Sequence, residues 1–170
     1  LTVAEYLKRV TKNELEQVIK DYGEERYFRR IAGAICSERE KRKIVTTKDL
    51  ADIIRQAIPG PKGKIDKATR TFQALRIKIN EELVAKGSAL YYQYCETCHG
   101  IGADGRHSLH PDLSMLPATK HQLFRDIVLG GVLAKNGMAS FSNSLTEADV
   151  EAIQHYVLKK QSELYNKHKD

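Results

Sequence analysis

The sequence has no tryptophan, only two methionines and only three cysteines among its 170 residues. Three cysteines are too few for the disulfide framework that holds small secreted domains together. Cys36 lies in an apolar helical setting, IAGAIC, and is interpreted as a buried structural thiol. No apolar run approaches the roughly 18 residues that a membrane-spanning helix needs. The first residues, LTVAEYLKRV, lack the apolar core of a signal peptide. We therefore expect no membrane span.

The sequence also lacks an excess of acidic residues, and its positive charge is uneven. Residues 1–84 carry 19 Lys/Arg against 13 Asp/Glu, whereas residues 85–170 carry 9 of each. All the excess basicity therefore lies in the first half of the chain. This asymmetry indicates different partners for the two halves, with polyanions as one candidate for the first.

Alternation of apolar and polar residues is missing as well, so no strand is predicted and the fold class is all-α. Thr2 and Glu5 form a capping-box pattern, and a helix is predicted over residues 24–39. Thr46 or Thr47 caps a helix that must stop at Pro59. Further helices are predicted from about residue 67, over residues 120–129 and after residue 146.

The stretch YYQYCETCHGIG places Cys95 and Cys98 three residues apart, with His99 directly after the second cysteine. Two thiols on one helical turn can bond the two vinyl groups of a haem, and the next residue brings an imidazole onto the iron. A redox dithiol would follow a strand, and none is apparent. Zinc would need a fourth ligand, for which His107 or His110 is available. The pattern favours a covalent haem c.

Two methionines compete for the second axial position on the iron. Met138 lies in KNGMASF, a Gly-containing loop between two predicted helices, and is preferred. Met115 has leucine neighbours and suits packing against the ring. His107 and His110 are the rival ligands. The remaining histidines are expected to be solvated: His121, His155 and His168.

Ligand histidines usually donate their second N–H to a carbonyl or a carboxylate. Pro111, in the loop after the motif, is well placed to offer its carbonyl to His99. The alternative is that Pro111 is a plain turn proline.

Residues from about 87 to 157 resemble a class I cytochrome c domain, most closely the one at the C-terminus of quinohaemoprotein (PQQ-dependent) alcohol dehydrogenases. The matching stretches are GSALYYQYCETCHG, HPDLSML, FRDIVLGGVLAKNGMASF and LTEADVEAIQHYV. The resemblance implies that Gly87 and Tyr91 pack against the last helix and that Met138 ligates the iron. It also implies a redox partner protein or quinoprotein domain, and a periplasmic location. GMASF departs from the family's usual GMP.F by an alanine after the methionine.

Residues 3–84 resemble the helical domain inserted in bacterial 16S ribosomal RNA cytosine-N4 methyltransferases. The matching stretches are YGEERYFRRIAGAI, TTKDLADIIRQAIP, KGKIDKATRTFQALRI and KINEEL. The resemblance implies a cytoplasmic location and an RNA nearby. Weak RNA binding is possible through basic side chains, the alternative being a solvated charged face: Arg26, Arg29, Arg30, Lys67, Arg70 and Arg76.

The family's methyl-donor site lies in a doubly wound α/β domain, whose strands and glycine loop this sequence lacks. We therefore expect the chain to be an electron carrier and not an enzyme, with the catalytic half of the methyltransferase absent.

Together these patterns predict an all-α chain, with a small helical domain over residues 1–84 and a class I cytochrome c domain over 85–170. The expected function is one-electron transfer by a haem c held by Cys95, Cys98, His99, Met138 and Pro111. The alternative is an RNA-contacting helical domain with a structural zinc or an empty CxxCH site. Haem attachment and ribosomal RNA methylation occur on opposite sides of a bacterial membrane. An artificial fusion is therefore the simplest account.

Overall fold

The computed structural model describes residues 2–61, 63–103, 105 and 110–167. Within these ranges the chain forms helices and turns and no strand, which confirms the predicted all-α class. It divides into two compact units, Leu1–Asn80 and Glu81–Asp170. The α-helices are α1 (Val3–Arg9), α2 (Lys12–Gly23), α3 (Phe28–Lys41), α4 (Thr47–Ala57), α5 (Thr69–Tyr94), α6 (Glu96–His99), α7 (Ala118–Gln122), α8 (Phe124–Val128) and α9 (Glu147–Lys167).

Short-range hydrogen bonds start the helices of the first unit where the sequence indicates. The Thr2 hydroxyl accepts from the Glu5 N–H at 3.2 Å, and the Glu5 carboxylate accepts from the Thr2 N–H at 2.7 Å. Thr46 and Asp49 form the same reciprocal cap at the start of α4. These bonds satisfy backbone donors that the helix itself leaves unpaired. Helix α4 ends at Ala57, two residues before Pro59.

Two predicted helices differ from those in the structure. Helix α3 begins at Phe28, because Glu24 adopts a left-handed backbone (φ 48°, ψ 35°) that ends α2. The predicted helix over residues 120–129 is divided into α7 and α8. Leu123 separates them, with φ −97° and ψ 5°, and its N–H bonds the Lys120 carbonyl in a tighter turn.

The first unit is held by apolar side chains from its first four helices and the start of α5. Each such side chain stabilises the fold by roughly 1.5–3 kcal/mol when it is fully removed from water. The largest fully buried ones are Tyr6, Leu15, Ile19, Ile31, Ile35, Leu50, Ile54 and Leu75.

The second unit has its own core, built mainly between the C-terminal part of α5 and helices α8 and α9. An ion pair between Lys86 and Asp149 (2.7 Å) joins α5 to the first turn of α9. The hydrogen bond from Lys86, followed by those from Thr146, lowers the pKa of Asp149 to about 2. The buried core residues are Tyr91, Ala103, Phe124, Val128, Leu145, Val150, Ile153, Tyr156 and Val157.

Helices α5 and α9 approach each other closely at Gly87. A Cβ atom added at this position would overlap the carbonyl oxygen of Ala152 and would lie 3.0 Å from the Ile153 nitrogen. The obstacle is helix backbone, which cannot rotate aside as a side chain can. Only glycine therefore permits this approach of the two helices.

We expect Gly87→Ala to destabilise the second unit by about 1–3 kcal/mol or more, since the methyl group forces the helices apart. The matched control is Gly33→Ala in α3, where a Cβ would meet only the Lys12 side chain at 3.8 Å. That control removes a helix-interior glycine and should stabilise its own unit by roughly 0.5–1 kcal/mol. Hydrogen exchange of peptides from α9 and α3 during urea unfolding measures both effects. Unchanged protection of α9 in the Gly87 variant would contradict the close approach.

Candidate functional site

The CETCH motif forms one tight helical turn directly after α5. Cys95 caps helix α6, and its carbonyl accepts hydrogen bonds from the N–H groups of Cys98 (3.2 Å) and His99 (2.9 Å). Cys95 is half-buried and Cys98 is exposed. One turn therefore carries both thiols and the imidazole, with one thiol towards the core and one towards solvent.

The His99 ring is buried, with 8% of its surface exposed, and a hydrogen bond sets its orientation. Its Nδ1 atom lies 3.0 Å from the carbonyl oxygen of Pro111. Because a carbonyl oxygen can only accept, Nδ1 carries the hydrogen, and in the neutral ring Nε2 keeps its lone pair. That arrangement is typical of a metal-binding histidine. The roles of His99 and Pro111 at a haem stay predictions.

Tyr91 holds the other end of the motif. Its hydroxyl donates to the Gly100 carbonyl at 2.7 Å, and its ring lies 5.2 Å from that of Tyr156 in α9. Burial is the main reason why the pKa of Tyr91 is raised far above its ordinary value. The tyrosine therefore stays neutral and keeps donating to the residue that follows His99.

The two methionines occupy different environments. Met138 is half-buried and packs against the core of the second unit, as Cys95 does, while its N–H donates to the Leu133 carbonyl at 3.2 Å. Met115 is 69% exposed. Met138 and Cys95 thus border the same apolar cluster, and Met138 stays a prediction as the axial ligand.

Of the rival histidines, His110 is described: its ring lies edge-on to that of His99, with 6.0 Å between the centroids. His107 lies outside the described residues. Within the part of the chain that the structure covers, no group of three or more His, Cys, Asp or Glu side chains could hold a metal ion.

The environment of Cys95 bears on the choice between haem and zinc. Burial, with a smaller contribution from Cys98, raises the pKa of the Cys95 thiol to about 11. A thiol that binds zinc must lose its proton, whereas a thioether has none to lose. A haem thioether is uncharged and is compatible with the apolar surroundings. Two thiols, a buried imidazole with its Nδ1–H engaged and a half-buried thioether on the core's edge are donors that fit a c-type haem.

A second set of hydrogen bonds holds the turn that follows Pro111. The Gln161 amide of α9 donates to the Leu116 carbonyl at 2.7 Å and to the Leu113 carbonyl at 3.4 Å. Its amide oxygen lies 2.9 Å from Nε2 of His121, whose carbonyl accepts from Gln154 at 2.7 Å. We call Gln154, Gln161 and His121 the α9 clasp.

The α9 clasp was missed in the sequence analysis, which expected His121 to be solvated. The structure instead half-buries His121 and bonds it to α9. The available signal was the spacing of Gln154 and Gln161, seven residues apart and therefore on one face of a helix. His155, also expected to be solvated, is half-buried, and its Nδ1 lies 2.9 Å from the Glu151 carbonyl oxygen. His168 lies outside the described residues.

The basic residues predicted to contact RNA are only partly available for it. Lys67 donates to the Ile58 carbonyl at 2.8 Å, and Arg70 donates to the Glu24 carbonyl at 3.3 Å. Arg26 and Arg29 lie over the rings of the neighbouring Tyr27 (4.6 Å) and Phe28 (5.2 Å). Arg30 and Arg76 are exposed, and neither makes an ion pair with another described residue.

Comparison with known proteins assigns the first part of the chain. Residues 1–98 match the MraW methylase family. The chain belongs to this family. Three relatives are named ribosomal RNA small subunit methyltransferase H. Those of Persephonella marina and Methylococcus capsulatus are each 52% identical, over 84 and 82 residues (48% of the chain; 29% and 27% of the relatives). That of Idiomarina loihiensis is 42% identical over 126 residues (71% of the chain, 39% of the relative). The chain thus spans less than two fifths of each of these three relatives.

Residues 82–157 match a second family, described as cytochrome c oxidase, cbb3-type, subunit III. The expected cytochrome c resemblance of the second half is therefore confirmed at the level of a c-type domain. The two matches share residues 82–98, which include the end of α5 and both cysteines of the motif. None of the helices in the described ranges combines the length and the apolarity needed to cross a membrane.

The expectation that the chain is not an enzyme is wrong. Membership of a methylase family, and relatives named as methyltransferases, overturn it. The error arose because the expectation depended on whether this sequence itself contains the strands and glycine loop of the catalytic domain. The family assignment rests instead on the helical residues themselves.

We expect Gln161→Met to release the turn that follows Pro111, since the thioether matches the amide in length but cannot donate to Leu113 or Leu116. Losing each such hydrogen bond costs about 1 kcal/mol, so amide exchange in residues 113–116 should become roughly fivefold faster for one lost bond and about thirtyfold faster for two. The measurement is hydrogen exchange of that segment by NMR. The control Gln93→Met changes an exposed side chain of α5 in the same unit and should leave the exchange unaltered. Equal exchange in both variants would show that the α9 clasp does not hold the turn.

Proposed function

We propose that residues 81–157 hold one covalently attached c-type haem and pass single electrons. The family match supports a c-type domain over 82–157. The observation that carries the proposal is the hydrogen bond from His99 Nδ1 to the Pro111 carbonyl (3.0 Å). His99 lies on the same helical turn as both cysteines. A buried histidine with this bond has its Nε2 lone pair committed to no protein donor in the described site, which suits an iron ligand.

Each side chain of the site has a distinct task in this proposal. Cys95 and Cys98 form the two thioether bonds, so the haem stays attached although the apolar core of this unit is small. His99 Nε2 and the Met138 sulfur would ligate the iron. Pro111 keeps the imidazole in its orientation and raises its donor strength. The bound haem supplies the Fe(II)/Fe(III) couple.

The thioether of Met138 would influence the reduction potential of the site. Sulfur is a weak donor that stabilises the ferrous state, so His/Met ligation holds the reduction potential above that of a bis-histidine site. Packing of Met138 against the apolar core supports this role, because a half-buried thioether would limit the access of water to a bound iron. A redox partner protein or a quinoprotein domain would deliver or take the electron. Covalent haem attachment implies a periplasmic location for this unit.

We further propose that residues 1–80 contact ribosomal RNA as part of a methyltransferase. The MraW match covers more than half of the 170 residues and supports this function more broadly than the shorter cytochrome match supports electron transfer. The names of the relatives supply the kind of RNA. The positive charge of the first half supports a polyanionic partner.

The junction of the two families supports a fused chain. Both matches reach into the C-terminal part of α5, which runs from Thr69 to Tyr94. Haem attachment and ribosomal RNA methylation take place in different compartments. We therefore propose that two unrelated genes were joined within this helix, and an artificial fusion is the simplest route.

The haem proposal predicts a red protein whose colour stays with the polypeptide in acidified acetone, because thioether bonds survive that treatment. Met138→Ala should abolish the near-infrared charge-transfer band of the ferric protein and lower its potential. The control is Met115→Ala, which removes the exposed methionine and should keep the band. If Met115→Ala removes the band and Met138→Ala keeps it, Met115 is the axial ligand in place of Met138. A colourless protein would contradict the haem.

The RNA proposal predicts binding of a single-stranded RNA oligonucleotide that weakens steeply with salt, since released counterions drive it. Arg30→Glu reverses an exposed charge in the first unit, while Lys135→Glu makes the same change in the second. If the first unit binds RNA, the Arg30 variant should bind several-fold more weakly at low salt than the Lys135 variant. Fluorescence anisotropy measures both. Absence of binding by the unaltered chain at low salt would contradict RNA contact.

A further inference from the structure

The first unit contains a cavity of about 570 Å³ that the functions above do not use. Small residues leave the space: Ala51 on α4 and Ala68 just before α5 both line it. Its volume falls within the roughly 300–1,000 Å³ typical of small-molecule sites. The cavity is therefore large enough for a single nucleotide.

One face of α5 supplies the mixed aromatic and polar wall of this cavity. Thr69, Phe72, Gln73 and Arg76 all line it and follow the i, i+3, i+4, i+7 spacing of one helix face. Phe72 is half-buried, while the other three side chains are exposed. This face therefore offers an aromatic ring beside hydroxyl, amide and guanidinium groups.

The opposite wall carries an arginine held in place by two carboxylates. Arg55 of α4 bonds Asp66 through Nε (3.0 Å) and Nη2 (2.8 Å), and bonds Asp52 through Nη1 (2.9 Å). These bonds raise the pKa of Arg55, so its charge is permanent. Arg55 is thus a rigid part of the wall, and its charge is already balanced.

Arg76 differs from Arg55 in making no ion pair with another described residue. Because Asp66 balances the charge of Arg55, Arg76 gives the cavity lining its net positive charge. The position seven residues after Thr69 places it two helical turns further along α5. The cavity therefore combines a planar apolar face, hydrogen-bonding groups and one uncompensated cation.

We propose that this cavity binds one unpaired nucleotide of an RNA strand. The base stacks on Phe72, Gln73 and Thr69 hydrogen-bond its edge, and Arg76 pairs with the phosphate. Base–aromatic stacking stabilises the bound single strand and is available only to bases outside a duplex. The proposal rests on the RNA contact proposed for this unit and names the site and the state of the RNA.

The test uses the full chain and a single-stranded RNA oligonucleotide that carries one 2-aminopurine, with the duplex of the same sequence alongside. Stacking on Phe72 should quench the 2-aminopurine fluorescence, and Phe72→Leu should remove the quenching and weaken binding about fivefold or more. Gln73→Ala should weaken binding several-fold. Arg76→Ala should reduce the slope of log affinity against log salt by about one unit.

The matched control is Lys48→Ala, which removes one charge from α4 outside the cavity lining. Because Phe72 also lines a second cavity near Thr2, the Gln73 and Arg76 variants test the site independently of any effect on folding. If the chain binds RNA and the Gln73 and Arg76 variants behave like Lys48→Ala, the cavity is not the site and RNA contact stands. Duplex binding as tight as single-strand binding also overturns the nucleotide site. No binding of either RNA overturns both proposals.

Discussion

The hydrogen bond between His99 Nδ1 and the Pro111 carbonyl is the constraint on which the candidate haem site depends. It decides which ring nitrogen carries a hydrogen and which keeps a lone pair. The surrounding contacts hold its two ends: Tyr91 bonds the Gly100 carbonyl beside His99, and Gln161 bonds the Leu116 carbonyl beyond Pro111. Helix α9 contributes to both, through Tyr156 against Tyr91 and through Gln161 itself. Its close approach to α5 at Gly87 therefore supports the histidine from a distance.

Local features of this structure follow from the sequence, whereas features made by distant residues do not. The Thr2 and Thr46 caps, the end of α4 before Pro59 and the single turn of the CETCH motif each depend on residues within five positions. The α9 clasp joins side chains 40 residues apart, and the cavity beside Phe72 requires the packing of α4 against α5. A pattern within a short stretch of sequence does not indicate such contacts between distant residues. The late start of α3 was missed because the left-handed Glu24 is not glycine or asparagine, the residues that usually signal it.

The two family matches cover different lengths of the chain. The MraW family covers residues 1–98, and this assignment corrects the view of the chain as a mere electron carrier. The c-type match covers residues 82–157 and indicates the kind of domain, but it does not show a bound haem. The cavity in the first unit and the histidine in the second are made entirely within their own units. Each proposal can therefore fail without affecting the other.

The most direct measurement of the central claim is the ¹H–¹⁵N NMR spectrum of the His99 ring in the reduced protein. The account predicts one hydrogen on Nδ1, exchanging slowly because Pro111 holds it, and none on Nε2, which is bonded to iron. Free imidazole in the same buffer gives the reference for fast exchange. A hydrogen on Nε2 of His99, or an Nδ1 hydrogen that exchanges as fast as that of free imidazole, would contradict the account.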